Sequence, residues 1–455
     1  MIVSFISNLV LARLLSPKDF GTVGMLLFFI SVANVFIDSG FGAALIQKKN
    51  TNKNDYSTIF ILNISVSLFL YILLYLSAPF ISKFYNTEIL TALLRVEGLV
   101  LIGNALCMVQ SNILRKKMDF KRLAIANLFG NTLGSIAAII AALTGLGVWS
   151  LIIRVICVAY LTSLCLWKVC EWKPSFIFDL KIVKELFAFG GFMLLSTGLN
   201  TIASNLQTLI IGKLFQQRTL GLYTQAMTLR NVAADSLQNI IGQVLFPDYA
   251  TLTKNSEIAN KLNKSLYIIS YFTTSLLILL LIIGKPLIIA LYSEKWIGAV
   301  PYFQILCIGG IFYAIQDVNY YVIAAKGKSK YLSIINIIKI PIYIFALFIC
   351  GTYWGIFALI WCIVGYAFIS YVIFAAVATR LISTSIKPQI LSIIKSIICA
   401  ICAGVIPFIL SFIEVFDSYL IDILFSFIIY IGVLSIISHI FKVYPYNYIL
   451  KMIKK

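Results

Sequence analysis

Basic residues recur in the gap after every second apolar segment of this chain, and few folds satisfy that rhythm. Lys48, Lys49 and Lys53 follow the second segment. Arg115, Lys116, Lys117, Lys121 and Arg122 follow the fourth, and Lys168, Lys173, Lys181 and Lys184 the sixth. The pattern continues after the eighth, tenth and twelfth segments and closes with Lys442, Lys451, Lys454 and Lys455. These gaps hold 25 of the 36 Lys and Arg residues, and the intervening gaps hold six. Basic loops stay on the cytoplasmic side of a bilayer, so the alternation predicts a multi-pass topology with both termini in the cytoplasm. The net charge of +19 is then a topology signal. A nucleic-acid footprint would need a basic face on a soluble domain, and the sequence has none.

The apolar segments themselves number fourteen, in a chain that is 61% hydrophobic. A span needs about 20 apolar residues. The first segment, Met1–Leu15, offers only 15 before Ser16-Pro17. No basic region precedes it, so it does not read as a cleaved signal peptide. The expectation is an incomplete N-terminus or a downstream start codon. The predicted fold class is an all-α integral membrane protein of about 14 transmembrane helices. Residues 1–167 form an N-terminal lobe and 186–378 a C-terminal lobe, joined by a cytoplasmic linker at 168–185. Residues 379–455 add two spans and a basic tail.

An internal repeat supports the two lobes. Arg13, Leu14 and Gly21 line up with Lys213, Leu214 and Gly221 at an offset of 200. Gly103 and Gln110 meet Gly309 and Gln316 at an offset of 206, and Gly147–Ile152 meets Gly355–Ile360 at 208. Spans one to six pair with spans seven to twelve. Six is even, so both copies enter the membrane from the same side. That is the parallel repeat of a two-lobed transporter rocking about a central cavity.

Several spans carry one polar face. Ser31, Asn34 and Asp38 recur at helical spacing, as do Thr197, Thr201, Ser204 and Thr208. So do Thr224, Thr228, Asn231 and Asp235, and Tyr313, Gln316, Asp317 and Tyr320. Lipid cannot satisfy such faces, so they point at protein or water. Interhelical hydrogen bonding is one outcome and a solvated cavity the other. Ionisable groups inside spans favour the cavity, because a charge at mid-bilayer costs about 2.5–3.5 kcal/mol. Arg95, Arg154, Arg230 and Lys339 are the candidate substrate-binding cations, with Arg95 near the outer end of its span. Asp38, Asp235 and Asp317 are candidates for charge balance or ion coupling, with Asp235 placed to pair with Arg230. A cationic cavity suits an anionic cargo, since guanidinium groups hold phosphate oxygens bidentately. Glu97 is a further intramembrane carboxylate.

The nine cysteines are scattered over apolar segments, and Cys399 and Cys402 read as small apolar filler despite their redox spacing. The lone His439 sits at the end of the last span and reads as interfacial. The sequence contains no metal cluster, nucleophile elbow or phosphate loop, and no cofactor is expected.

Ala12–Gly21, Asp38–Lys49, Arg115–Phe120, Ile211–Lys213, Leu220–Tyr223, Phe246-Pro247 and Glu294–Trp296 together resemble a known family. It is the Wzx-type flippase family of polysaccharide and O-antigen units, whose members are described as lipopolysaccharide biosynthesis proteins. These belong to the multidrug/oligosaccharidyl-lipid/polysaccharide exporter superfamily. The likeness runs from Val10 to about Ala400. It implies alternating-access export of undecaprenyl-diphosphate-linked oligosaccharide across the bacterial cytoplasmic membrane. The product would be O-antigen, capsule, exopolysaccharide or teichuronic acid. It further implies a proton or sodium gradient as the coupling source, and a polysaccharide polymerase and chain-length regulator as partners. A lipid II flippase and a cation-coupled drug antiporter share the superfamily. A membrane polymerase or glycosyltransferase is the alternative of a different class. It is disfavoured because the outer loops, about a dozen residues at most, leave no room for an external active site.

Overall fold

The computed structural model describes residues 2–38, 42, 45, 48, 51–252, 254–410 and 418–447. Every regular element among them is helical. In chain order these are α1 (Ile2–Leu14), α2 (Pro17–Asp38), α3 (Lys53–Tyr85), α4 (Ile89–Glu97), α5 (Leu99–Lys116), α6 (Phe120–Leu143), α7 (Trp149–Val169) and α8 (Leu180–Leu214). They continue with α9 (Gln217–Ala250), α10 (Asn255–Ile282), α11 (Gly284–Tyr292), a 3-10 turn (Glu294–Ala299), α12 (Val300–Ala325) and α13 (Ser329–Tyr353). The last three are α14 (Gly355–Leu381), α15 (Lys387–Leu410) and α16 (Tyr419–Ile440).

Eleven stretches among the described residues are long and apolar enough to cross a membrane. Fourteen were expected. The difference starts with α1, whose 13 residues reach only about 20 Å at 1.5 Å per residue. The helices α8 and α9 run for 35 and 34 residues, and part of their side chains lie outside the described residues. The helices α4 and α5, which meet at Gly98, together make one of the eleven, Ile89–Lys116.

Local chemistry sets the helix ends. Asp55 Oδ2 accepts from the Asn52 N–H at 2.8 Å and opens α3. Asn86, at φ 52°, closes that helix in the left-handed region, and its N–H returns to Lys83 and Ser82 carbonyls. Asp119 and Asp179 cap α6 and α8 by accepting from the backbone N–H of Arg122 and Lys181.

Contacts divide the chain into two units, Met1–Gly221 and Leu222–Lys455. In the first, α6 packs on α7, α5 on α7 and α3, and α2 on α8. The α6–α7 seam is made by a stripe of small residues, Ala126, Gly130, Gly134 and Ala138, all buried and four apart. A Cβ on Gly130 would lie 2.0 Å from Thr162 Oγ1, and one on Gly134 2.6 Å from Val158 Cγ2. Without bulk on α6 the two backbones close up, the usual way helices associate where no hydrophobic driving force separates them from lipid. In the second unit α12 packs on α14 and α10, and α10 on α15.

A second close approach joins residues 200 apart within the first unit. A Cβ on Gly21 would lie 1.7 Å from the Gln217 carbonyl oxygen, and one on Gly221 1.8 Å from the Pro17 carbonyl oxygen. The contact is reciprocal: each glycine meets the residue that precedes the other by four.

Candidate functional site

In the first unit the polar stripes converge. Five helices enclose a cavity of about 530 Å³. Ser31 and Asn34 reach it from α2, Asn104, Ser111 and Arg115 from α5, and Asn127 from α6. Thr162 of α7 and Thr197 and Thr201 of α8 complete the polar lining. The glycine seam brings Thr162 up to α6, where its buried hydroxyl has no hydrogen-bond partner. Across the cavity Asn104 Nδ2 donates to Asn34 Oδ1 at 2.8 Å. Two bonds fix α7 against α5: Tyr160 Oη to the Leu99 carbonyl at 3.1 Å, and Trp167 Nε1 to the Leu106 carbonyl at 2.9 Å. Among the described lining residues the charged group is Arg115, and no carboxylate accompanies it. Amides and hydroxyls both donate and accept, so this lining matches a ligand rich in hydroxyls. The guanidinium can hold one anionic group.

The cations singled out from the sequence lie elsewhere. Arg154 is half-buried on α7, and its guanidinium donates to the Ser4 carbonyl at 3.0 Å. Ser4 Oγ donates in turn to Asn131 Oδ1 at 2.8 Å, so the short α1 is tied to both α6 and α7. Arg95 lies 4.3 Å over the Tyr75 ring and donates to the Tyr75 carbonyl. Neither lines the cavity. Glu97 is buried, and its Oε2 has no hydrogen-bond partner.

The second unit holds the other two. Arg230 is 6% exposed, its guanidinium 5.6 Å over the Tyr313 ring, and its Nε has no hydrogen-bond partner. Lys339 is 8% exposed and donates to Ser370 Oγ at 2.8 Å. Its ammonium sits 4.7 Å from the Tyr366 ring centroid and 4.8 Å from that of Phe374. Asp317 lies near enough to interact electrostatically with Lys339, so these two predicted residues are brought together. Lys339 also borders a groove of about 620 Å³ between α13 and α14, whose walls include Ile338, Tyr343, Trp361 and Tyr366. The side chains of Asp38 and Asp235 lie outside the described residues, and with them the proposed pairing of Asp235 with Arg230.

Of the lining residues, Ser31, Asn34, Thr197 and Thr201 stand on the polar faces named from the sequence, and Asn104, Ser111, Arg115 and Asn127 do not. A signal was present: 104, 111 and 115 fall on one face of a helix. Arg115 also belongs to the basic gap after the fourth segment, which hides the end of that stripe.

Comparison with known proteins places this architecture. Residues 10–301 match a family model described as "Polysaccharide biosynthesis protein". The teichuronic acid biosynthesis protein TuaB of Bacillus subtilis (strain 168) is 27% identical over 382 residues, covering 83% of this chain and 78% of that protein. The succinoglycan biosynthesis transport protein ExoT of Rhizobium meliloti (strain 1021) is 23% identical over 308 residues, covering 67% of this chain and 62% of that protein. Among solved structures, the lipid II flippase MurJ in an inward closed conformation superposes with a TM-score of 0.74. That match has 16% sequence identity and covers 96% of each chain, a likeness of fold alone.

Proposed function

This chain belongs to the polysaccharide biosynthesis protein family, membrane transporters rather than enzymes, and we propose on that premise that it moves lipid-linked oligosaccharide units across a bacterial cytoplasmic membrane. The cargo in this reading is an undecaprenyl-diphosphate-linked repeat unit for a surface polysaccharide, carried by alternating access. The helices form fourteen spans with both termini in the cytoplasm, and spans one to six repeat as seven to twelve. A polysaccharide polymerase and chain-length regulator receive the unit on the outer side.

The observation that carries the proposal is the amide- and hydroxyl-lined cavity of the first unit. Within a membrane domain such a lining is stable only against water or a polar ligand. Asn34, Asn104 and Asn127 would hydrogen-bond sugar hydroxyls, and Arg115 would meet an acidic group on the cargo. Arg230 is the preferred diphosphate contact, because it keeps an unused donor. Arg154 acts by holding α1 through Ser4, and Arg95 stays an outer-side partner. Asp317 with Lys339 forms the coupling pair for a proton or sodium gradient, together with Asp38 and Asp235.

The test uses a flippase-null strain carrying each variant at matched membrane level, with surface polysaccharide as the readout. Asn34→Leu/Asn104→Leu is expected to lose export while the purified protein keeps its melting temperature. Full export by that variant would remove the cavity from the transport path.

A further inference from the structure

We propose that one end of the first unit is a docking surface for an anionic lipid leaflet, centred on the connection between α7 and α8. That connection, residues 170–179, lies as a strap across the start of α3. The Ser175 N–H donates to Ser57 Oγ at 3.1 Å, and the Asp179 N–H donates to Thr58 Oγ1 at 3.3 Å. Trp172 packs edge-on to Tyr56 and Phe60, with ring centroids 6.1 and 5.8 Å away. Behind it Cys170 and Leu186 join Ile59, Val109 and Ile113 in a buried cluster. The strap is therefore held in place from its inner side.

Its outer side is apolar and bare. Phe176 is fully exposed at 104%, and Ile177, Phe178 and Leu180 are exposed beside it. At the same end, the α5–α6 turn exposes Met118 and Phe120. A water-facing loop has no use for these six side chains. Basic groups interleave with them: Lys173 on the strap, Lys181 and Lys184 at the start of α8, Lys117 on the α5–α6 turn, and Lys121 and Arg122 at the start of α6, all exposed.

The acidic residues nearby are mostly engaged. Asp179 accepts from the Lys181 N–H, Asp119 pairs with Arg122, and Glu185 pairs with Lys48, leaving Glu171 exposed on the strap. Apolar anchors between lysines match the boundary of a negatively charged leaflet, where rings enter the acyl region and ammonium groups meet lipid phosphates. Helices α3, α5, α6, α7 and α8 all begin or end here, so the surface is where their apolar lengths give out. The proposal does not depend on the transported cargo.

Hydrogen–deuterium exchange of the intact protein in lipid nanodiscs tests it. In phosphatidylglycerol-containing discs at low salt, the amides of residues 176–178 should exchange about tenfold or more slowly than in pure phosphatidylcholine discs. High salt should erase that difference, since exposed charges are screened within about 3 Å at 1 M. The Lys173→Gln/Lys181→Gln/Lys184→Gln variant should lose the lipid dependence while exchange in α3 and α5 stays at its original rate. Equal exchange in the two lipids would overturn the proposal. So would protection seen in native membranes but absent from anionic discs, which would assign the strap to a protein partner.

Discussion

In the first unit, side chains from five helices leave their polar ends facing an open cavity whose described lining holds one cation, Arg115. In the second, the cations are folded inward: Lys339 onto Ser370 and two aromatic rings, Arg230 onto Tyr313. The first arrangement spends polarity on space, the second on neighbours. A charge held by a hydroxyl and ring faces is already compensated, and moving it would expose those partners. Under the proposed function, the contrast goes with sugar contact by the first unit's amides and a coupling role for Lys339, with Arg230 left as the second unit's ligand contact.

The largest effect should come from closing off the first arrangement at its root. Gly130→Val places a branched side chain where even a Cβ meets Thr162 at 2.0 Å. Overpacking of this kind costs about 1–3 kcal/mol and more where backbone is involved. Folded protein, followed by fluorescence-detected size exclusion, should fall sharply, whereas Gly365→Ala in the second unit, with open space around it, should be tolerated. Equal tolerance of both changes would break the picture of a cavity built on a close seam.

Next in size is Asn34→Leu/Asn104→Leu. Each lost hydrogen bond to cargo is worth roughly 0.5–1.5 kcal/mol, so the pair should lower export about 5- to 150-fold. Thermal stability should hold, because the two amides satisfy each other and leave together.

Lys339→Met/Asp317→Leu should behave differently. The Met stem keeps packing in the groove while both charges disappear, and replacing a buried pair with apolar chains of like size is often neutral or stabilising, whereas Lys339→Met alone would strand Asp317. The expectation is an unchanged or raised melting temperature with impaired transport. Impaired folding instead would make this cation a structural one and erase the contrast between the units.

The smallest effect concerns Lys48, outside the spans. Burial works against its charge, but hydrogen bonds to Glu185 and Asp55, at 3.1 and 3.2 Å, outweigh it and raise its pKa above the ordinary 10.5. A raised lysine pKa contributes stability that is complete below 10.5 and is lost as pH rises through the higher folded value. A partly exposed pair yields less than about 1 kcal/mol. Melting temperature should therefore dip slightly more above pH 10.5 in the parent chain than in Lys48→Met. An identical profile would show that the ion pairs carry no stability.

Much of this molecule is legible in its sequence, for a physical reason. The bilayer forces each helix to be long, apolar and flanked by charges, so Lys116, Lys168 and Lys326 mark helix ends within a few residues. The polar stripes of α2 and α8 were readable because lipid excludes them. Partnerships were not. Nothing local in the chain ties Arg154 to Ser4, 150 residues away, or Lys339 to Ser370. The close α6–α7 seam follows from what is missing at Gly130 and Gly134, and an absent side chain leaves no periodic signal of hydrophobicity. The short α1 illustrates both points: its length was evident, but the bonds through Ser4 that hold it were not.

Gly21 and Gly221 have a consequence for how this chain can change. In most packed pairs a larger residue on one side can be accommodated by a smaller one opposite. Here the obstacle to each glycine is a main-chain oxygen, from Gln217 in one case and Pro17 in the other. A carbonyl cannot be trimmed by substitution, so no partner mutation rescues either position. The two sites, 200 residues apart, therefore drift under separate vetoes, and the segment where the halves of the sequence look most alike is also one where neither half is at liberty to diverge.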